Sequence, residues 1–177
     1  NGVTYIYTLL TTNTARITGT IHGASLSGNL IIPSEYQIGG AGSVISFTEI
    51  GDSAFANTSI TSVTIPDSVT TIGIQSFFYC LSLTTLTFDG TSQCTSIGSS
   101  AFVNSKIITL TIPASVTTIG NGAFQNISDL TTVAFATGSQ CTNIGWSSFN
   151  GTSITSISIP SSVTTIGNYA FQDTHLT

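Results

Sequence analysis

The sequence predicts a β-rich α/β solenoid, a chain wound into short coils that stack in register, and three observations predict it. First, the motif Ile-Gly-x-x-(Ala/Ser)-Phe occurs six times, with its Ile at Ile50, Ile72, Ile97, Ile119, Ile144 and Ile166. The steps are 22, 25, 22, 25 and 22 residues, so a short and a long unit alternate, and Pro66, Pro113 and Pro160 keep the combined period of 47. Repeats of this length are single supersecondary units that bury their apolar side only against neighbours. Second, an apolar-x-x-apolar-x-apolar stretch precedes each later Ile-Gly: Ile60/Val63/Ile65, Leu83/Leu86/Phe88, Ile107/Leu110/Ile112, Leu130/Val133/Phe135 and Ile154/Ile157/Ile159. Alternation over the last three positions, with Thr and β-branched residues between, is the pattern of a short strand with one buried face. Third, Phe55, Phe77, Phe102, Phe124, Phe149 and Phe171 recur once per unit, which predicts a stacked aromatic spine.

The elements follow in chain order. Thr4–Leu10 and Ala15–Ile21 flank the polar stretch Thr11–Thr14, a β-hairpin pattern suited to covering the first coil. Leu30-Ile-Ile-Pro33 reads as a degenerate first repeat, and Gly39-Gly-Ala-Gly42 as a plain loop, since it lacks the Gly-Lys-Ser/Thr ending of a phosphate cradle. Residues 1–46 thus form an N-terminal cap, and residues 47–177 the array. Within each unit the strand leads to a second apolar pair (Val69/Ile72, Cys94/Ile97, Val116/Ile119, Cys141/Ile144, Val163/Ile166). The Gly after each Ile suits a tight backbone bend, and the Phe segment that follows is expected to be a one-turn helix or 3₁₀ segment on the convex side.

The strand stretch has the Leu-x-x-Leu-x-Leu spacing of leucine-rich repeats. Segments such as Ser62-Val-Thr-Ile-Pro-Asp-Ser-Val-Thr-Thr-Ile-Gly73 and Gly120-Asn-Gly-Ala-Phe124 resemble the BspA-type leucine-rich repeat family of bacterial and protist surface proteins over about residues 28–177. Phe77-Phe-Tyr-Cys-Leu-Ser-Leu83 resembles that family's Ala-Phe-x-x-Cys-x-x-Leu segment with Ser76 in place of Ala, whereas the short units lack the Cys and one residue. The resemblance implies a leucine-rich repeat horseshoe with a parallel concave sheet. It also implies secretion or surface display, a role in adhesion or host binding, and no catalytic residues.

Composition narrows the function. Only 5% of residues are charged, with a single Arg and a single Lys, Arg16 and Lys106, so the basic cluster that nucleic-acid binding requires is missing. With 40% apolar residues and a net charge of −5 the chain is not of the disordered class, and no apolar run is long enough to span a membrane. Cys94 and Cys141 share one register two units apart, about 9–10 Å at strand spacing and beyond the ~7 Å reach of a disulfide. Both stand where other units have Val, and Cys80 has no partner in its register, so three free, buried thiols are expected, without the spacing of a zinc site.

His22 and His175 have no Ser/Asp arrangement beside them. Asp52 aligns with Ile74, Ser99, Asn121, Trp146 and Asn168, and Asp67 with Ala114 and Ser161, so no acidic register repeats to hold a metal. No catalytic residue, cofactor site or metal site is therefore assigned. Asn57, Asn126 and Asn150 open Asn-x-Ser/Thr sequons, expected to face solvent and to be glycosylation acceptors only in a eukaryotic host. Tyr79, Trp146 and Tyr169 lie by the spine, on the side away from the strands.

The remaining candidate is the outward side of the strands: Ser62, Thr64, Thr85, Thr87, Thr109, Thr111, Thr132, Ser156 and Ser158, with Ala134 interrupting the set. Alternation puts both members of each pair on the solvent side, a hydroxyl grid repeating about every 4.8 Å. Thr is also simply a good strand former on an exposed sheet. The functional reading is a neutral polar surface for a protein or glycan. The first residue being Asn1, with no Met anywhere, suggests a processed or excised chain. The end runs Phe171-Gln-Asp-Thr-His-Leu-Thr177, stopping where a next strand is due. That open rung suggests a piece of a longer array, or a contact with the N-terminal region of another copy. The sequence therefore points to a non-enzymatic, secreted or cell-surface module that binds through the strands, with end-to-end assembly into a filament as the alternative.

Overall fold

A computed structural model describes residues 3–20, 25–38 and 43–177. His22 and the Gly39–Gly42 loop lie outside these. Among these described residues fourteen strands run in chain order. β1 (Tyr5–Leu9) and β2 (Thr14–Thr20) form an antiparallel hairpin. β3 (Ser27–Ile31) is the strand of the first coil; it pairs in parallel with β6 (Ser59–Ile65), setting Leu30 opposite Val63. β4 (Glu35–Ile38) folds back antiparallel onto β5 (Ser43–Ile50), and β5 pairs in parallel with β2. The hairpin is therefore the end of the repeat array's own sheet.

Each later coil contributes two ladders. The first comes from the alternating stretch: β6, then β8 (Thr85–Phe88), β10 (Thr109–Ile112) and β12 (Thr132–Phe135). The second uses only two residues per coil: β7 (Thr71–Ile72), β9 (Ser96–Ile97), β11 (Thr118–Ile119), β13 (Asn143–Ile144) and β14 (Thr165–Ile166). The second ladder is the continuous one. It joins the order β1-β2-β5-β7-β9-β11-β13-β14, with every motif Ile opposite the next. The first ladder, expected as one unbroken sheet, is instead divided into β3-β6-β8 and β10-β12.

Between the ladders lies the core. Ile60, Leu83, Ile107, Leu130 and Ile154 are fully buried, as are Val69, Cys94, Val116 and Cys141 of the second pair. The spine is present: successive rings from Phe55 to Phe171 stack with centroids 5.1 to 5.5 Å apart and planes within 13° of parallel. The Ala/Ser preceding each Phe is small because it too is buried, as at Ser76, Ala101, Ala123, Ser148 and Ala170.

Two expectations are corrected here. The Phe segments are runs of hydrogen-bonded turns, not helices. In residues 99–104, Ser100, Phe102 and Asn104 donate their backbone N–H to Asn121, Ala123 and Gln125 of the next coil, while Ala101 and Val103 close turns inside their own. A helix would spend all of these N–H groups internally, so the turn segment behaves as a third ladder. It requires left-handed backbone twice per coil, at Ser100 and Asn104 and at Gly122 and Asn126, for example.

The motif glycines, in turn, do not serve a bend, since none of the six has positive φ. A Cβ on Gly98 would stand 2.5 Å from the carbonyl carbon of Gly73. Glycine is required because adjacent coils touch backbone to backbone at that corner.

Candidate functional site

Two populations of hydroxyl groups stand out among the described residues. One is consumed by the fold. Thr70, Thr95, Thr117, Thr142 and Thr164 form a column in which each Oγ1 donates to the backbone carbonyl of the Thr one coil earlier, starting at Thr48, over 3.0 to 3.2 Å. The same carbonyl also accepts the backbone N–H of that Thr. Ser68, Ser115 and Ser162, one per 47-residue period, each donate to two carbonyls of the preceding coil; for Ser115 these are Ser92 and Cys94, both at 2.8 Å. Strand alternation alone does not single out these columns. Their signals are Thr two residues before the motif Ile and Ser two residues after Pro66, Pro113 and Pro160.

The other population is the predicted set. Thr85, Thr87, Thr109, Thr111, Thr132, Ser156 and Ser158 are exposed, and Ser62 and Thr64 are partly exposed. Thr85 and Thr87 lie beside Ser62 and Thr64 across the β6–β8 pair, and Thr109 beside Thr132 across β10–β12. Ser62 is partly spent, its Oγ donating to Asn29 Oδ1 at 2.6 Å. The hydroxyls of Thr87, Thr109 and Thr111 make no hydrogen bond to another described residue. Ser156 and Ser158 lie outside any regular strand.

A groove of about 660 Å³ opens between β8 and β10, where the first ladder is interrupted. Thr87, Thr109 and Thr111 line its strand side. Loop residues 90–93 and Gln140 form its flanks, Pro113, Ala114 and Ser115 lie along it, and no charged side chain contributes. The interruption follows from unit length. Five residues separate Phe88 from Cys94 in a long unit, against three between Ile112 and Val116 in a short one. Each long loop bonds backward, Gln93 N–H to Asp67 O and Gln140 N–H to Ala114 O. Forward, toward the next short turn, the Ser115 and Ser162 hydroxyls reach back to the long loops.

The other candidates have structural roles. All three cysteines are free and buried. Burial pushes the Cys94 thiol up to about 12, and pushes Cys80 and Cys141 upward as well. Asp52 Oδ1 accepts the backbone N–H of Ile74 at 2.7 Å, and Asn121 Oδ1 that of Trp146 at 2.9 Å, so this register holds the next coil's backbone. Asn57 and Asn126 are exposed and sit in left-handed backbone, which Asn tolerates well. Asn150 is only partly exposed and its amide donates to Gln172 O. Tyr79, Trp146 and Tyr169 are exposed, with Trp146 and Tyr169 meeting edge to face at 6.2 Å. His175 is exposed and its N–H donates to Ile154 O. Among the described residues no group of His, Cys, Asp and Glu is placed to hold a metal ion.

Stacked parallel coils with one strand stretch and one Ile-Gly corner per turn define a leucine-rich repeat solenoid. Residues 48–177 match the BspA type leucine rich repeat region in six copies, and the chain belongs to that family. Its fold is similar to that of the pneumococcal vaccine antigen PcpA, at a TM-score of 0.82 and 25% identity over 98% of this chain and 46% of that one. It is also similar to a leucine rich cell surface protein of Faecalibacterium prausnitzii, at a TM-score of 0.68 and 30% identity over 100% of this chain and 52% of that one. A leucine-rich repeat protein of T. pallidum shares the fold at a TM-score of 0.60 and 23% identity, over 98% of this chain and 66% of that one. The chain thus spans about half the length of the first two. No curated protein matches it in sequence. Among the described residues no helix is long and apolar enough to cross a membrane.

Proposed function

We propose that the chain is a non-enzymatic binding module of an extracellular or cell-surface protein and that it holds its ligand on the hydroxyl-rich strand face. One observation carries this reading: the Thr column beside the second ladder and the Ser of each short turn spend their hydroxyls on the fold, whereas those of Thr87, Thr109 and Thr111 are exposed around a groove and make no hydrogen bond to another described residue. Similarity to a leucine rich protein described as cell-surface supports the location. The test is binding of the purified chain to immobilised extracellular-matrix proteins and glycans. The Thr87→Lys/Thr109→Lys/Thr111→Lys variant is expected to lose at least tenfold in affinity while keeping its circular dichroism spectrum. Retained binding by the folded variant would move the site elsewhere.

End-to-end assembly is the second reading, supported by the apolar last rung, where Ile159, Ile166 and Leu176 are 38%, 49% and 38% exposed. Such a face suits the next coil whether it comes from the same chain or from another copy. Dispersed particles in negative-stain micrographs at micromolar concentration would count against assembly through it.

A further inference from the structure

The alternation of unit lengths corrugates one side of the solenoid. Loops 89–93 and 136–140 stand as ridges, and the short turns at Pro113 and Pro160 lie between or beside them. The 660 Å³ groove is the complete trough, walled by both ridges with Pro113–Ser115 beneath. A second groove, of about 320 Å³, occupies the equivalent place one period on, between loop residues 136–139 and Ser158–Ser161. It has one ridge and about half the volume. The two lie two coils apart, about 9–10 Å at strand spacing.

We propose that these troughs bind a neutral, extended β-linked glycan that passes from one trough over the intervening 136–140 ridge to the next, one disaccharide per two coils. This rests on the strand-face reading above and assigns it a ligand class. Thr87, Thr109 and Thr111 offer hydroxyls, Gln140 its amide, and Gln93 the part of its amide left after Nε2 donates to Thr91 O at 3.0 Å, groups that both donate and accept, as sugar hydroxyls require of their partners. Half-buried Phe88 and the partly exposed Ala114 give the apolar ground on which a sugar's C–H face packs. The lining holds no charge and the chain carries −5, which disfavours a polyanion. In a β-(1→4) chain alternate sugars present opposite faces, so its repeat is a disaccharide, and that repeat is of the same length as the two-coil step.

The test is calorimetric titration of the whole chain with β-(1→4)-linked di-, tetra- and hexasaccharides of glucose and of N-acetylglucosamine. An α-(1→4)-glucose hexamer and a heparin hexasaccharide serve as controls. The expected result is that affinity for one β series rises at least tenfold from di- to hexasaccharide, as the second trough is engaged, with the controls weaker. The exposed-site variants Gln93→Ala and Gln140→Ala, checked for unchanged melting, should each lower hexamer affinity several-fold. No binding of either β hexamer at millimolar concentration, equal binding of the α hexamer, or length-independent binding overturns the proposal. If the oligosaccharides fail while an immobilised protein is held and the triple Lys variant releases it, the glycan is wrong and the strand-face site stands. If nothing is held, both fall.

Discussion

Gly98 shows how tightly single positions are determined. An added methyl would lie 2.5 Å from the carbonyl carbon and 2.6 Å from the carbonyl oxygen of Gly73, both backbone atoms fixed by their own ladder. Gly98→Ala must therefore push two coils apart, with an expected loss of about 1–3 kcal/mol, the usual range for overpacking. Urea unfolding measures it, and an unchanged midpoint would show slack at the corner. Cys94 gives a pH prediction. Burial raises its thiol from 9.0 to about 12. The unfolded chain releases that proton first, so stability is untouched below about pH 9 and falls as pH rises toward 12. Melting temperatures followed from pH 7 to 11 should turn downward above 9. Cys94→Val, which installs the residue found at Val69 and Val116, should flatten that fall. Cys80 and Cys141, also raised by burial, and Tyr5, raised to about 12, leave a residual slope.

At the scale of elements, the second ladder has two strand residues per coil and still runs unbroken, because a Thr column reinforces it with a side-chain bond at every step. The first ladder has four per coil and breaks where a long loop precedes a short turn. Ser115 spans that break, donating to Ser92 O and Cys94 O. Ser115→Ala should cost about 1 kcal/mol, the net worth of such a hydrogen bond. Amide exchange should quicken locally around residues 92–94 and 113–116. Exchange unaltered there would mean the coils are held by other contacts.

Across the whole molecule, coils touch only their neighbours, so stability is a chain of interfaces. Phe102 stacks on Phe77 at 5.1 Å and Phe124 at 5.3 Å and is fully buried. Phe102→Ala should cost roughly 3–5 kcal/mol and split a single unfolding transition into two as the halves uncouple. A melt matching the parent would remove Phe102 from the core. Charge contributes little at this scale: the two ion pairs among described residues, Arg16–Glu49 and Lys106–Asp129, are substantially exposed, where such pairs are weak.

Periodicity in the sequence determined the repeat, the registers, the Phe spine and the strand stretches, because a solenoid places equal positions in columns and burial then repeats with the motif. It also marked Thr87, Thr109 and Thr111 as outward, since strand alternation requires only neighbouring residues. Tertiary structure alone decided which hydroxyls are free. Thr109 and Thr117 look alike in sequence, and only the stacked coil one turn earlier, whose Thr95 carbonyl takes the Thr117 hydroxyl, separates them. The same holds for the motif glycines, chosen by the backbone above them and not by their own φ. It holds for the turns too, where N–H groups that would close a helix find carbonyls in the next coil. The trough likewise arises between coils: alternating lengths of 22 and 25 are written in the chain, but a groove exists only when a long loop and a short turn are set side by side.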